Sequence, residues 1–157
     1  MASRDELYQK YGLTAEAAQL FETDFGSIML AVNGLKHDWH IAPDRNEAQK
    51  LYEKMGKLTL GNLLRQTSKD VSFDDNTFWI FDAALDARNK LFHGFFERHN
   101  FKIQTDEGRD IMIADLDQLH DKLFNAWRIA SAISAHILGR LITEVAETES
   151  KRAPEAP

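Results

Sequence analysis

Apolar residues recur along most of this chain at alternating intervals of three and four positions, the spacing that puts side chains on one face of an α-helix. This spacing predicts four helices, over about 15–39, 43–66, 76–97 and 106–146. Three of the helices are preceded by a residue suited to cap the N-terminus: Thr14, Asp74 or Asp75, and Thr105. The remaining helix, the second, opens at Pro43 or Asp44. The pattern predicts an all-α fold, a four- to five-helix up-and-down bundle with a long C-terminal helix.

The last predicted helix is too long for a compact domain. Its apolar positions keep the three–four spacing from Met112 to Ile137. A continuous helix over 106–146 would measure roughly 60 Å at ~1.5 Å per residue, against a domain diameter near ~40 Å. We expect it to bend at Gly139 or to extend against a second chain. We favour a homodimer, because a long apolar face has to be covered.

Composition agrees with a helical domain. The chain has 17 Leu and 18 Ala residues but three Val, a bias towards residues that favour helices. Its 157 residues suit one domain, which we place at 1–146. Residues 147–157 are polar and end in proline, so we expect a disordered tail there.

Several classes of function are excluded or disfavoured by the same composition. The chain has no cysteine, hence no disulfide, zinc–thiolate site or thiol nucleophile. Its N-terminus is polar and its uninterrupted apolar runs are short, so we expect a cytoplasmic protein without membrane contact. A net charge of −6 disfavours broad wrapping of nucleic acid. We predict no cofactor and no metal site. His37 and His40 could share a metal, but the local sequence places no third ligand beside them, although Asp44 and Glu47 are near along the chain. Histidines near a helix C-terminus more often interact with the helix dipole and its free carbonyls.

One arginine interrupts the apolar stripe of the third predicted helix. The stripe consists of Phe78, Phe81, Leu85, Arg88, Phe92 and Phe95. A buried guanidinium must meet a carboxylate, a water-filled cleft or an anion, because burying it alone costs several kcal/mol. Either Arg88 is structural, paired with a carboxylate or reaching the helix edge, or it binds an anion.

The opposite face of this helix is a polar strip. Its members are spaced by three or four and so adjoin one another: Asp82, Asp86, Asn89, His93 and Glu97. Asn89 and Asp86 could orient the His93 ring. The alternative is a solvated face in which His93 and Glu97 form an ordinary pair.

The local string around Arg88, Ala-Leu-Asp-Ala-Arg-Asn-Lys-Leu-Phe-His-Gly-Phe-Phe, resembles the Arg-x4–6-His signature of HEPN-domain proteins. Here the spacing is Arg-x4-His, with Asn89 in the polar position that often follows the arginine. The resemblance covers some twenty positions. It implies a small helical bundle, often dimeric, and a metal-independent endoribonuclease of the kind found in toxin–antitoxin, abortive-infection or RNA-processing systems. An antitoxin or another protein partner is implied with it.

The chemistry expected of such a site is attack of a ribose 2′-hydroxyl on the adjacent phosphate. His93 would transfer protons, Arg88 would bind the phosphoryl oxygens, and Asn89 would orient His93 or bind the phosphate. Residues five apart on a helix differ by ~140° and ~7.5 Å, so the two side chains converge within one chain only if Arg88 curls around the helix. We expect a composite site between two copies of this helix instead. Flanking phosphates would contact a basic cluster that consists of Lys90, Arg98, His99 and Lys102. The alternative interpretation is that these are ordinary solvated charges of a loop.

The competing interpretation is a non-catalytic helical dimer that binds a nucleotide, RNA or a protein. In that case Arg88 is structural or binds an anion, and the aromatic stripe is a dimer interface. Asp82 and Asp86 depart from the family pattern and count against efficient RNA binding, because two carboxylates near the site repel a polyanion unless they are paired.

Overall fold

The computed structural model describes residues 1–152, except the side chains of residues 148, 149 and 152. Over this range it is all-helical, contains no strand and ends in a long helix, which confirms the all-α part of the predicted fold, whereas the up-and-down bundle and the dimer stay predictions. Its elements are six α-helices, one more than the upper number predicted, and one short 3-10 helix: α1 Arg4–Lys36, α2 Arg45–Gly56, α3 Leu60–Asp70, α4 Asp75–Phe92, α5 Phe95–His99, the 3-10 helix Asn100–Gln104, and α6 Asp106–Arg152.

The chain divides into two compact units, each with its own buried residues. The first unit comprises Met1–Thr23 and Phe73–Ile129, and the second comprises Asp24–Ser72 and the chain from Ala130 onward. Helices α1 and α6 each contribute residues to both. The single domain proposed over residues 1–146 stays a prediction.

The start of α1 lies eleven positions before the predicted start at residue 15, because the chain carries an N-terminal capping box. The Ser3 hydroxyl accepts from the Glu6 backbone N–H at 3.1 Å, and the Glu6 carboxylate accepts from the Ser3 N–H at 2.6 Å. Thr14, predicted as a cap, lies inside α1 instead. Its hydroxyl donates to the Lys10 carbonyl at 2.8 Å, so the predicted boundary was wrong.

The predicted caps Asp74 and Thr105 are confirmed, and Asp44, one of the two predicted starts of the second helix, acts as a cap as well. Asp44, Asp74 and Thr105 accept from the backbone N–H three residues later, at 2.9, 3.0 and 3.0 Å. The predicted second helix is divided into α2 and α3, because Thr59 leaves the helical conformation and caps a new helix through the Asn62 N–H.

The core of the first unit forms where α1, α4, α5 and α6 bury their large side chains: Leu7, Phe21, Phe81, Leu91, Phe95, Met112, Leu116 and Leu123. The rings of Phe21 and Phe81 lie 5.6 Å apart between centroids. The 3-10 helix lies against the first turn of α6, where a Cβ on residue 108 would come 2.0 Å from the Lys102 carbonyl oxygen. Only glycine fits there.

Helix α6 runs without interruption through Gly139 to Arg152. The predicted tail is therefore helical over 147–152, and its last five residues, 153–157, lie outside the described residues. By length and composition alone, Asp106–Glu147 could also cross a membrane. Our expectation from uninterrupted apolar runs missed this segment. Its apolar window is only 11% buried, whereas the core helix of a soluble protein is mostly buried. One such helix assigns no location, so cytoplasmic localisation stays a prediction.

Candidate functional site

A sharp corner after α4 shapes the candidate site. We predicted a helix to residue 97, but α4 ends at Phe92. His93 has φ −110° and ψ 76° and donates its backbone N–H to the Asn89 carbonyl at 2.9 Å. Gly94 follows with φ +102°, a left-handed conformation that favours glycine, and α5 starts at Phe95.

Arg88 and His93 come together within one chain at the end of α4. Nη1 of Arg88 lies 3.3 Å from Nε2 of His93. This is the convergence that we expected only if Arg88 curled around its own helix, whereas a composite site between two copies stays a prediction. Since a guanidinium has donors only, Nε2 of His93 is the acceptor, and the neutral ring carries its proton on Nδ1.

Arg88 is also held from α1. Its Nε donates to Oε1 of Glu22 at 2.6 Å, and its guanidinium carbon lies 5.1 Å from the centre of the Phe92 ring. The carboxylate partner considered as the structural alternative is thus present. The arginine side chain nevertheless remains 28% exposed, so the guanidinium still reaches water.

Glu22 is the residue of this site that the sequence pattern missed. It lies 66 positions before Arg88, and the only local signal is its place directly after the buried Phe21. On α4 the fully buried positions are Phe81, Ala84, Ala87 and Leu91. The buried stripe is therefore displaced from the predicted one and places Arg88 at its edge.

Asn89 and Lys90 lie on the exposed side of α4. Asn89 contributes its backbone carbonyl to the corner, whereas the role predicted for its side chain stays a prediction. Nζ of Lys90 lies 2.7 Å from Oδ2 of Asp86, an i,i+4 pair that largely offsets the repulsion expected from that aspartate. Asp82 is exposed.

The remaining basic residues serve different purposes. Arg98 donates to Oδ2 of Asp115 at 2.7 Å and to the Lys90 carbonyl at 3.2 Å, so it ties α5 to α6 and to the end of α4. His99 is only 5% exposed, and its Nε2 also lies 2.7 Å from Oδ2 of Asp115. A role for His99 in a surface RNA-binding cluster is therefore wrong, because its ring is buried. Lys102 is exposed in the 3-10 helix.

Asp115 is thus the common acceptor at the base of the corner. Burial by itself would raise the pKa of this carboxyl, but hydrogen bonds from Arg98 and His99 outweigh burial and hold the pKa below its usual range. Nδ1 of His99 is buried and has no hydrogen-bond partner among the described residues. Nε2 of His99 therefore carries a proton towards the carboxylate.

Within residues 1–152, the described part of the chain, the structure does not gather ligands for a metal. No group of three or more histidine, aspartate or glutamate side chains suited to a metal ion occurs in the described part of the chain. In the second unit, Nε2 of His40 lies 3.8 Å from Oε2 of Glu144, and His37 is exposed.

Comparison with known proteins adds no further assignment. No protein-family model, no curated protein and no solved structure matches this chain. The resemblance to HEPN-domain proteins stays a prediction.

Proposed function

We propose that this chain is a metal-independent endoribonuclease that cleaves RNA through attack of a 2′-hydroxyl on the neighbouring phosphate. The observation that carries the proposal is the contact of Arg88 with His93 at 3.3 Å on a water-accessible edge of the first unit. A permanent cation beside a titratable imidazole supplies the charge and the proton transfer that this reaction needs.

Glu22 gives the guanidinium a defined orientation. Because Glu22 accepts from Nε, the outer N–H groups of the two terminal nitrogens remain available, and these form the fork that matches two phosphate oxygens. In the free protein Nη1 contacts His93. A phosphate oxygen that accepts from Nη1 in place of His93 would free the lone pair on Nε2 of His93.

The released Nε2 can then accept the 2′-hydroxyl proton. The O2′–P bond forms as the P–O5′ bond breaks, and the products are a 2′,3′-cyclic phosphate and a 5′-hydroxyl. The departing 5′-oxygen needs a proton from the opposite side. In the homodimer that we propose, His93 of the partner subunit or a water molecule supplies it. Exposed apolar residues on α6, such as Leu138 and Ile142, support dimerisation.

A second function has a specific observation in its favour. The ion pair between Arg88 and Glu22 is what a structural arginine would form, and it supports a non-catalytic helical dimer that binds a nucleotide, RNA or a protein. The two proposals differ in one respect: only the nuclease requires His93 and Arg88 to act on a bound phosphodiester.

The deciding experiment measures cleavage of a labelled single-stranded RNA in excess chelator by the wild type, Arg88→Ala and His93→Ala. We expect a loss of at least ~100-fold in each variant, as is typical for a general acid–base group, and 2′,3′-cyclic phosphate ends in the wild-type products. Arg65→Ala and His136→Ala are the matched controls, because both residues lie in the second unit and are exposed. Wild-type cleavage that persists in both site variants would reject the nuclease proposal.

A further inference from the structure

An exposed aromatic cluster lies beside the corner that forms the candidate site. It consists of Tyr8 and Tyr11 on α1 and Phe96 on α5. The ring of Phe96 lies 5.3 Å from that of Tyr11 and 6.5 Å from that of Tyr8, between centroids. Tyr8 is 52% exposed and Phe96 is 40% exposed, so much of this aromatic surface faces water.

The cluster is fixed to the same backbone that positions His93. The Tyr11 hydroxyl donates to the Leu91 carbonyl at 3.4 Å, two residues before His93. Phe96 follows His93 by three residues, which limits the distance between their Cα atoms to at most ~11 Å. A chain bound at Arg88 and His93 therefore has aromatic rings within reach of a neighbouring nucleotide.

Electrostatic attraction is weakened here, since three of the nearby cations are already paired with carboxylates. Arg88 contacts Glu22 at 2.6 Å, and Lys90 contacts Asp86 at 2.7 Å. Arg98 contacts Asp115 at 2.7 Å. A ligand held at this surface must gain most of its binding free energy from contacts other than phosphate neutralisation.

We infer that the Tyr8–Phe96 surface stacks an unpaired nucleobase, which makes single-stranded RNA the substrate class. This inference rests on the proposed function for its ligand. Every base presents an aromatic face that can stack on tyrosine or phenylalanine, and such stacking tolerates any sequence. A duplex already stacks its bases on one another, so it cannot use this surface.

A base-stacking surface also predicts how RNA binding depends on salt concentration. Stacking does not release counterions, whereas each phosphate neutralised by a cation adds ~0.7 to the salt slope for a single strand. With three of the cations paired to carboxylates, we expect a slope equivalent to one or two phosphates.

The test measures fluorescence anisotropy of a labelled eight-nucleotide single-stranded RNA with the full chain carrying His93→Asn, which prevents cleavage. Phe96→Ala is expected to weaken binding by about fivefold to a hundredfold, the effect of losing one stacked base. Phe96→Trp should retain the affinity, which guards against a folding defect. Phe101→Ala is the matched control, because Phe101 is 75% exposed in the same unit but lies outside the cluster.

The outcomes separate the inference from the proposed function. Weaker binding in Phe96→Ala with no cleavage by the wild type supports the base-stacking surface and rejects the nuclease. Cleavage with equal affinity in Phe96→Ala and Phe101→Ala overturns the stacking surface and leaves the nuclease standing. Equal binding of an abasic strand, tighter binding of duplex RNA, or no RNA binding at all also overturns it, and the last result favours a protein ligand for the cluster.

Discussion

Glu22 and Arg88 are 66 positions apart in the sequence, yet their side chains meet at 2.6 Å and are both partly exposed. This pair holds one edge of the guanidinium and leaves the other edge towards His93. In the nuclease that we propose, a residue on α1 would thereby orient the cation on α4 that binds the phosphate.

Glu22→Gln tests this positioning role. We expect a fall in kcat for RNA cleavage of about tenfold, because the amide holds the guanidinium less firmly. The free energy of unfolding should change by less than ~1 kcal/mol, since the pair is partly exposed. Steady-state kinetics and urea unfolding give the two values.

Asp70→Asn is the control for Glu22→Gln. It removes one carboxylate of the Lys36–Asp70 pair, which lies in the second unit and has comparable exposure. We expect a similar small loss of stability and unchanged cleavage. An equal loss of activity in both variants would contradict a specific role for Glu22.

The sequence pattern found the features that depend on local chemistry. Helix periodicity placed α4 and α6, and the caps at Asp44, Asp74 and Thr105 depend on contacts three residues away. The pattern overran α4 because a three–four spacing of phenylalanines continues across the corner at Gly94. Periodicity indicates which face of a helix is apolar, but it does not reveal where a single residue with a positive φ ends the helix.

Contacts between distant parts of the chain could not be predicted in this way. The pairing of Glu22 with Arg88 and the burial of His99 on Asp115 depend on how helices pack, and no local spacing encodes them. By contrast, the Ser3–Glu6 capping box is a local motif in the sequence that marks the start of α1, and apolar periodicity did not reveal it.

Gly94→Ala should destabilise the protein and disrupt the site. At φ +102° an L-residue is strained, and we expect a loss of ~1–2 kcal/mol in the free energy of unfolding together with reduced cleavage. Gly12→Ala is the opposing control. Gly12 lies within α1 and a Cβ there meets no atom within 4 Å, so alanine should raise stability by ~0.5–1 kcal/mol. Urea unfolding measures the stability of both variants. Stabilisation by Gly94→Ala would contradict the left-handed conformation of residue 94 at the corner.

Stability at acid pH should depend on Asp115. The pKa of Asp115 is lower in the folded chain than in the unfolded chain. Its contribution to the free energy of unfolding is therefore complete at pH values above the pKa of an unfolded aspartate, near ~4. This contribution is lost as the pH falls through the lower pKa of the folded chain. The unfolded state then binds the proton more readily. We expect the wild type to lose stability below about pH 4 and Asp115→Asn to lose less over the same interval.

Urea unfolding between pH 2 and 7 measures this dependence on Asp115. Asp121→Asn is the control, because Asp121 is 86% exposed and its pair with His120 is long, at 3.9 Å. It should follow the wild-type curve. Parallel curves for the wild type and Asp115→Asn would show that the contacts of Arg98 and His99 with this carboxylate do not contribute to the pH dependence.

His93 and His99 should hold opposite tautomers when neutral. Arg88 donates to Nε2 of His93, which leaves the proton on Nδ1, whereas Nε2 of His99 donates to Asp115. Long-range proton–nitrogen NMR spectra at alkaline pH distinguish the two forms within a single sample. Arg88→Ala removes the donor and should abolish the Nδ1–H preference of His93 while leaving His99 unchanged. If His93 carries its proton on Nε2 in the wild type, Arg88 does not contact it in solution, and the observation behind the proposed nuclease is lost.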